Sequence, residues 1–258
     1  MKKLTTYAEP RNNNKQTNTI PLLSPWRISF WGAILILFYL VLSKPKPYFD
    51  ILKFIPDGII VTFKVTIISI SLAIVVGLIT GLGRISTNRP VRVISSVYVE
   101  VVRGIPLLVQ LFYVYYALGR FIRLPDIVAA IVAMTVCYGA YMGEVFRAGI
   151  ESIDTGQTEA ARSLGLSETQ TIFYVILPQA WRTILPPVGN EFIALLKDTS
   201  LVSILAVADV LRRGREFASQ TFDYFETYTV IALVYLIITL ILSRFVSILE
   251  DRFKRYSS

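Results

Sequence analysis

The residues of this chain best placed to do chemistry are charges embedded in apolar sequence. Arg103, Glu144, Glu191, Lys197 and Asp198 interrupt or border long hydrophobic runs, with Glu100 nearby. A charge at the centre of a membrane helix costs about 2.5–3.5 kcal/mol on insertion scales, so one retained there is a functional candidate by default. Lys197 and Asp198 are adjacent, point to different helical faces and cannot simply neutralise each other. The set holds both signs, which is what a zwitterionic solute needs. Arg103 or Lys197 can anchor a carboxylate; Glu144, Glu191 or Asp198 can anchor an ammonium. Gln110, Thr199 and Ser200 add neutral hydrogen-bond partners. The alternative is structural: the same charges pair between helices, with Glu100 and Arg103 pairing within one. Both readings stay open, and no particular substrate follows from such a set.

Other chemistries find little material. The 258 residues contain no histidine and a single cysteine, Cys137, set in an apolar helix. An internal disulfide is impossible, a metal site is not expected, and the thiol reads as a small buried hydrophobe. A membrane-embedded enzyme would want a nucleophile with a base, and its commonest ingredient is missing. No glycine is followed by lysine, so there is no G-x-x-x-x-G-K-[ST] phosphate loop. The chain reads as a non-enzyme that carries no cofactor of its own. The net charge of +8 needs no nucleic acid to explain it.

The elements that must hold these charges are membrane helices. Hydrophobic residues make up 54% of the chain and gather at Ile28–Leu42, Ile59–Leu82, Ile105–Leu118, Ile127–Gly143, Val188–Val207 and Thr229–Leu242. A span needs roughly 20 mainly apolar residues, and lipid leaves helices as the open segments that satisfy their own backbone. The fold class is therefore an all-α integral membrane protein, a polytopic bundle of about six transmembrane helices. The first run is short and is read as a retained helix rather than a signal-peptide core, since no A-x-A-like site follows it before Pro45 and Pro47. Lysine and arginine favour an orientation with both termini cytoplasmic, although the outer segment Arg212–Arg215 runs against that rule. The expected division is a polar cytoplasmic tail over 1–27, an N-terminal helix over 28–43, the main membrane domain over 56–250 and a cytoplasmic tail over 251–258. The third span is expected to begin near Val93 and to be interrupted at Arg103-Gly104-Ile105-Pro106.

One inner segment, about 151–187, is too polar to span yet carries helix signals. Asp154 with Gln157 can cap a helix start, Ala160, Ala161 and Leu164 share a face, and Gly165 suits a left-handed stop. Ser167 and Gln170 repeat the capping arrangement for a second helix that Pro178 is expected to close. Glu159 and Arg162, three apart, can bond across an interface or to each other. The segment reads as a helix–glycine–helix hairpin, either an ordinary interfacial loop or a docking element for a soluble partner.

That hairpin reads Glu159-Ala160-Ala161, then Gly165, then Val175-x-Leu177-Pro178. It resembles the EAA loop of bacterial ABC importer permeases, with Val175 where isoleucine is usual. Tyr98 to Leu111, through Arg103-Gly104-Ile105-Pro106 and Gln110, resembles the signature of the polar amino-acid branch, the histidine/glutamine/arginine permeases, with Ile105 in place of threonine. Gly139-Ala140-Tyr141, Glu144, Arg147-Ala148-Gly149-Ile150 and Lys197-Asp198-Thr199-Ser200-Leu201 fit the same branch. The resemblance implies a multi-pass protein of the bacterial inner membrane. It also implies a second permease subunit, identical or paralogous, two cytoplasmic subunits that bind ATP-Mg, and an external solute-binding protein. The expected cargo is a polar amino acid. Coupling to the ATPase falls on Glu159, Ala160, Ala161, Arg162, Gly165, Leu177 and Pro178. The rivals are a permease of the same kind for another small polar solute and an ATP-independent secondary transporter, which has no reason to carry the EAA spacing.

Overall fold

A computed structural model describes residues 24–254, which are helical almost throughout, with no strand among them. Of the expected tails, 1–23 and 255–258 lie outside that range; residues 25–27 open the first helix and 251–254 end the last. Helix α1 (Pro25–Ser43) is followed by α2 (Pro45–Phe54), α3 (Pro56–Ile85), α4 (Arg89–Gly104), α5 (Leu107–Phe112) and α6 (Asp126–Glu151). Then come α7 (Thr155–Ser163), α8 (Glu168–Thr171), α9 (Leu177–Asp198), α10 (Val210–Thr221) and α11 (Tyr224–Lys254). Each of the six apolar runs falls mainly on helix, although Ile105 and Pro106 of the third and Ala206 and Val207 of the fifth lie outside it. Between the expected N-terminal helix and the main domain, the chain is helical as α2, whose Tyr48 and Ile51 are buried.

Among the described residues four helices, α1, α3, α6 and α11, are long and apolar enough to cross a membrane, and up to five spans result if α4 with the following segment counts as one. That pair is bent by 102° at the expected interruption. Helix α9 falls short of the composition test because it carries charges and the internal Pro186 and Pro187.

The core forms where α3 and α6 approach most closely. A Cβ on Gly77 would lie 2.2 Å from the Met142 Cβ, and one on Gly143 would lie 2.5 Å from the Thr80 Oγ1, so these positions admit only glycine. Small residues at helix spacing are how membrane helices bring backbones together without a hydrophobic drive. Around this contact Val65, Ala73, Met134, Tyr138, Phe146, Ile184 and Leu195 are buried. A second core joins α2 to α10 and α11 through Tyr48, Ile51, Ile55, Phe217, Val230 and Val234. Helix α1 leans on α11, where Trp26 Nε1 donates to the Leu240 carbonyl at 2.8 Å.

Candidate functional site

Helix α4 ends at Gly104 because Pro106 biases the residue before it towards extended backbone, and Ile105 is extended at φ −106°, ψ 128°. The break leaves carbonyls without helical partners. Gln110 supplies them: its Nε2 donates to the carbonyls of Val102 and Ile105, both at 2.8 Å, and lies 3.7 Å from the Cys137 Sγ. A residue expected to meet solute thus holds the bend. Arg103, in the last turn before it, is left facing a cavity of about 420 Å³ bordered by Ile105, Pro106, Tyr138, Tyr141 and Asp198.

Asp198, at the C-terminal end of α9, also borders this cavity and accepts from the Tyr138 hydroxyl at 2.8 Å. The Arg103 guanidinium stacks 5.3 Å from the Tyr141 ring centre. Two of the expected charges, opposite in sign, are therefore brought to one space. Glu191 is half-buried one face-repeat earlier on α9, beyond Ala194, which also lines the cavity. Lys197 is exposed and does not line it. Thr199 is buried and spends its hydroxyl on the Leu196 carbonyl at 2.6 Å, and Ser200 is half-buried outside the lining. Tyr138 and Tyr141 were missed as neutral members of an apolar helix, although their spacing of three puts both on one face.

Glu144 is occupied. It ion-pairs with Arg84 of α3 and Arg147 of its own helix, while Arg103 stands 3.7 Å away. The contact proposed between Glu100 and Arg103 does not form; the carboxylate nearest Arg103 is Glu144, on a neighbouring helix. Two of the three arginines of the Arg212–Arg215 segment also have partners. Arg212 bonds Glu216 at 2.9 Å, and Arg213 bonds Glu216 at 3.0 Å and pairs with Asp57. These partners leave the discrepancy in place, because the orientation bias follows lysine and arginine rather than net charge.

The interfacial hairpin is formed. Helix α7 starts at Asp154, whose side chain accepts from the Gly156 N–H, and Gln157 completes no capping box because its side chain turns towards Gln179. It stops in a left-handed turn: Gly165 has φ +86°, its N–H bonds the Arg162 carbonyl, and the Leu166 N–H bonds the Ala161 carbonyl. Ala161 is buried, whereas Glu159, Ala160 and Arg162 are exposed and Leu164 is 82% exposed. Glu159 and Arg162 do not bond each other's side chains; Arg162 Nη1 donates to the Leu166 carbonyl at 3.1 Å. The capping box of Ser167 and Gln170 is complete. Pro178 does not close the second helix. Helix α8 passes at Thr171 directly into a π turn, Ile172–Ile176, which runs on into α9, so Pro178 lies within a continuous helical stretch rather than at its end. Leu177 is half-buried beside it.

A bundle of apolar helices enclosing a cavity bordered by charges of both signs fits the class of membrane transport proteins. Residues 73–255 match the family described as binding-protein-dependent transport system inner membrane component, and the chain belongs to that family. It is 41% identical over 201 residues to the L-cystine transport system permease protein TcyB of Bacillus subtilis, covering 77% of this chain and 86% of that one. It is 38% identical over 201 residues to the glutamine transport system permease protein GlnP of Escherichia coli, covering 77% and 92%. Among solved structures, an amino acid ABC transporter crystallised with histidines superposes with a TM-score of 0.74 at 40% identity, over 82% of this chain and 97% of that one.

Proposed function

We propose that this chain is the permease subunit of a binding-protein-dependent, ATP-driven importer whose cargo is a polar amino acid. The observation that carries the substrate class is the single cavity lined by both Arg103 and Asp198. Its volume falls in the range of small-molecule sites, and its charges complement a zwitterion. The solute carboxylate meets the Arg103 guanidinium, and the solute ammonium meets Asp198, whose second partner is the Tyr138 hydroxyl. Glu191 extends the anionic side. The names of the relatives, which transport cystine, glutamine or arginine, agree with a solute that carries an α-carboxylate and an α-ammonium.

Glu159, Ala160, Ala161, Arg162, Gly165, Leu177 and Pro178 form the docking element for a cytoplasmic ATPase. Exposed small and charged residues on α7, with Leu164 projecting at its tip, suit a partner groove. Two ATPase subunits bind ATP-Mg, a second permease subunit completes the pathway, and a solute-binding protein delivers cargo from outside. In this reading α4 with α5 and α9 with its following turn are spans, giving about six across the inner membrane, with the hairpin and both termini cytoplasmic. The test is to purify the tagged chain with its partners and measure ATP hydrolysis in lipid while adding amino acids and the binding protein. Stimulation by particular amino acids supports the reading. Hydrolysis indifferent to every amino acid, but raised by another small polar solute, replaces the substrate class.

A further inference from the structure

The chain departs from the α register where it leaves the hairpin to become α9. Pro178 has no N–H to offer the carbonyl four residues back, that of Tyr174, and its ring crowds the same group, so the register shifts into the π turn Ile172–Ile176. The Val175 carbonyl accepts from the side chain of Gln179, whose Nε2 lies 2.9 Å away. The same nitrogen is 3.2 Å from the Oε1 of Gln157, in the first turn of α7. The direction of both bonds is fixed by chemistry. A carbonyl only accepts, so Gln179 must present its NH₂ to Val175, and Gln157 must then present oxygen. A groove of about 730 Å³ flanks the joint, bordered by Ile153, Pro178, Gln179 and Thr183.

We propose that Gln179 is a positioning residue that transmits displacement of α7 to α9, one amide holding the irregular turn and gripping the docking helix together. This rests on α7 being the ATPase-docking element. Helix α9 carries Asp198 at its far end, so the joint links the hairpin mechanically to the charged cavity.

The asymmetry of the bond gives the test. Glutamate at 157 keeps an acceptor facing Gln179, whereas glutamate at 179 sets an acceptor against two acceptors. Both substitutions add the same charge at nearly the same place. In proteoliposomes holding the whole complex with its binding protein, L-glutamine, L-arginine and L-cystine are tried in turn, and solute moved per ATP hydrolysed is measured. Gln157→Glu is expected to match the parent. Gln179→Glu and Gln179→Leu are expected to lose coupling by about two- to tenfold, the worth of one hydrogen bond, with the half-saturating solute concentration unchanged. If Gln179→Leu fails to assemble, Gln157→Leu reads the same bond from the other side and should show the same loss. Equal behaviour of the two glutamate variants, or a loss appearing as weaker solute saturation, overturns the proposal. Absence of ATP-dependent uptake in the parent complex would instead overturn the functional reading beneath it.

Discussion

Arg103 has a guanidinium to spare because Glu144 is already committed to Arg84 and Arg147. With the Arg103 contact at 3.7 Å, looser than a hydrogen bond, the cation can take a solute carboxylate without breaking a tight pair. Arg103→Ala is therefore expected to lower uptake by about tenfold or more, the worth of a charge-assisted bond, while the complex still assembles. Asp198→Asn should act similarly, and Tyr138→Phe more weakly, since it removes one donor and leaves the carboxylate. Uptake assays on membranes with matched protein levels check all three. Arg103 and Asp198 were visible in the sequence because charge in an apolar run is conspicuous. The roles of Gln110, Glu144 and Thr199 were not, since a polar side chain that serves its own backbone or a neighbouring helix has the same composition as one that serves solute. Only the fold reveals that Gln110 bonds carbonyls released by Pro106.

At the scale of elements, the contact of α3 with α6 sets how closely the bundle closes. Gly77→Ala puts a methyl 2.2 Å from the Met142 Cβ, and overpacking of this kind costs about 1–3 kcal/mol. The purified complex should melt at a lower temperature, whereas Gly32→Ala, whose added Cβ meets nothing within 4 Å, should not change it. Helix α10 supplies a pH-dependent element. The Arg212 hydrogen bond, with Arg213 beside it, holds the Glu216 carboxyl below its usual range despite partial burial. A depressed carboxylate stabilises the fold above its ordinary pKa, and that contribution disappears as pH falls through the lowered value. Hydrogen-exchange protection of α10, corrected for the intrinsic pH dependence of exchange, should weaken as pH falls below the ordinary glutamate range, and Glu216→Gln should abolish that part of the response. Helix α10 and helix α2 escaped the sequence reading because both are short and proline- or charge-rich, and their stability comes from packing Phe217 and Tyr48 into a second core. The hairpin, including the capping box that opens its second helix, was legible because caps and a glycine stop are local signals; the end of that second helix was not, because the effect of Pro178 falls on residues before it.

For the whole molecule, hydropathy was enough to give a helical membrane bundle, while the number of spans was obscured by function itself. The bent pair around Gly104 is apolar enough to span only when its two helices are taken together, the proline- and charge-bearing α9 is not, and both line the cavity together with α6. A pathway for a charged solute must break the rules by which spans are recognised. The most direct test of the account is uptake of labelled amino acid into proteoliposomes containing the complex, with the binding protein outside and ATP inside or absent. The account predicts accumulation above the external concentration only when ATP is enclosed. Accumulation without ATP, driven by an ion gradient alone, would contradict it.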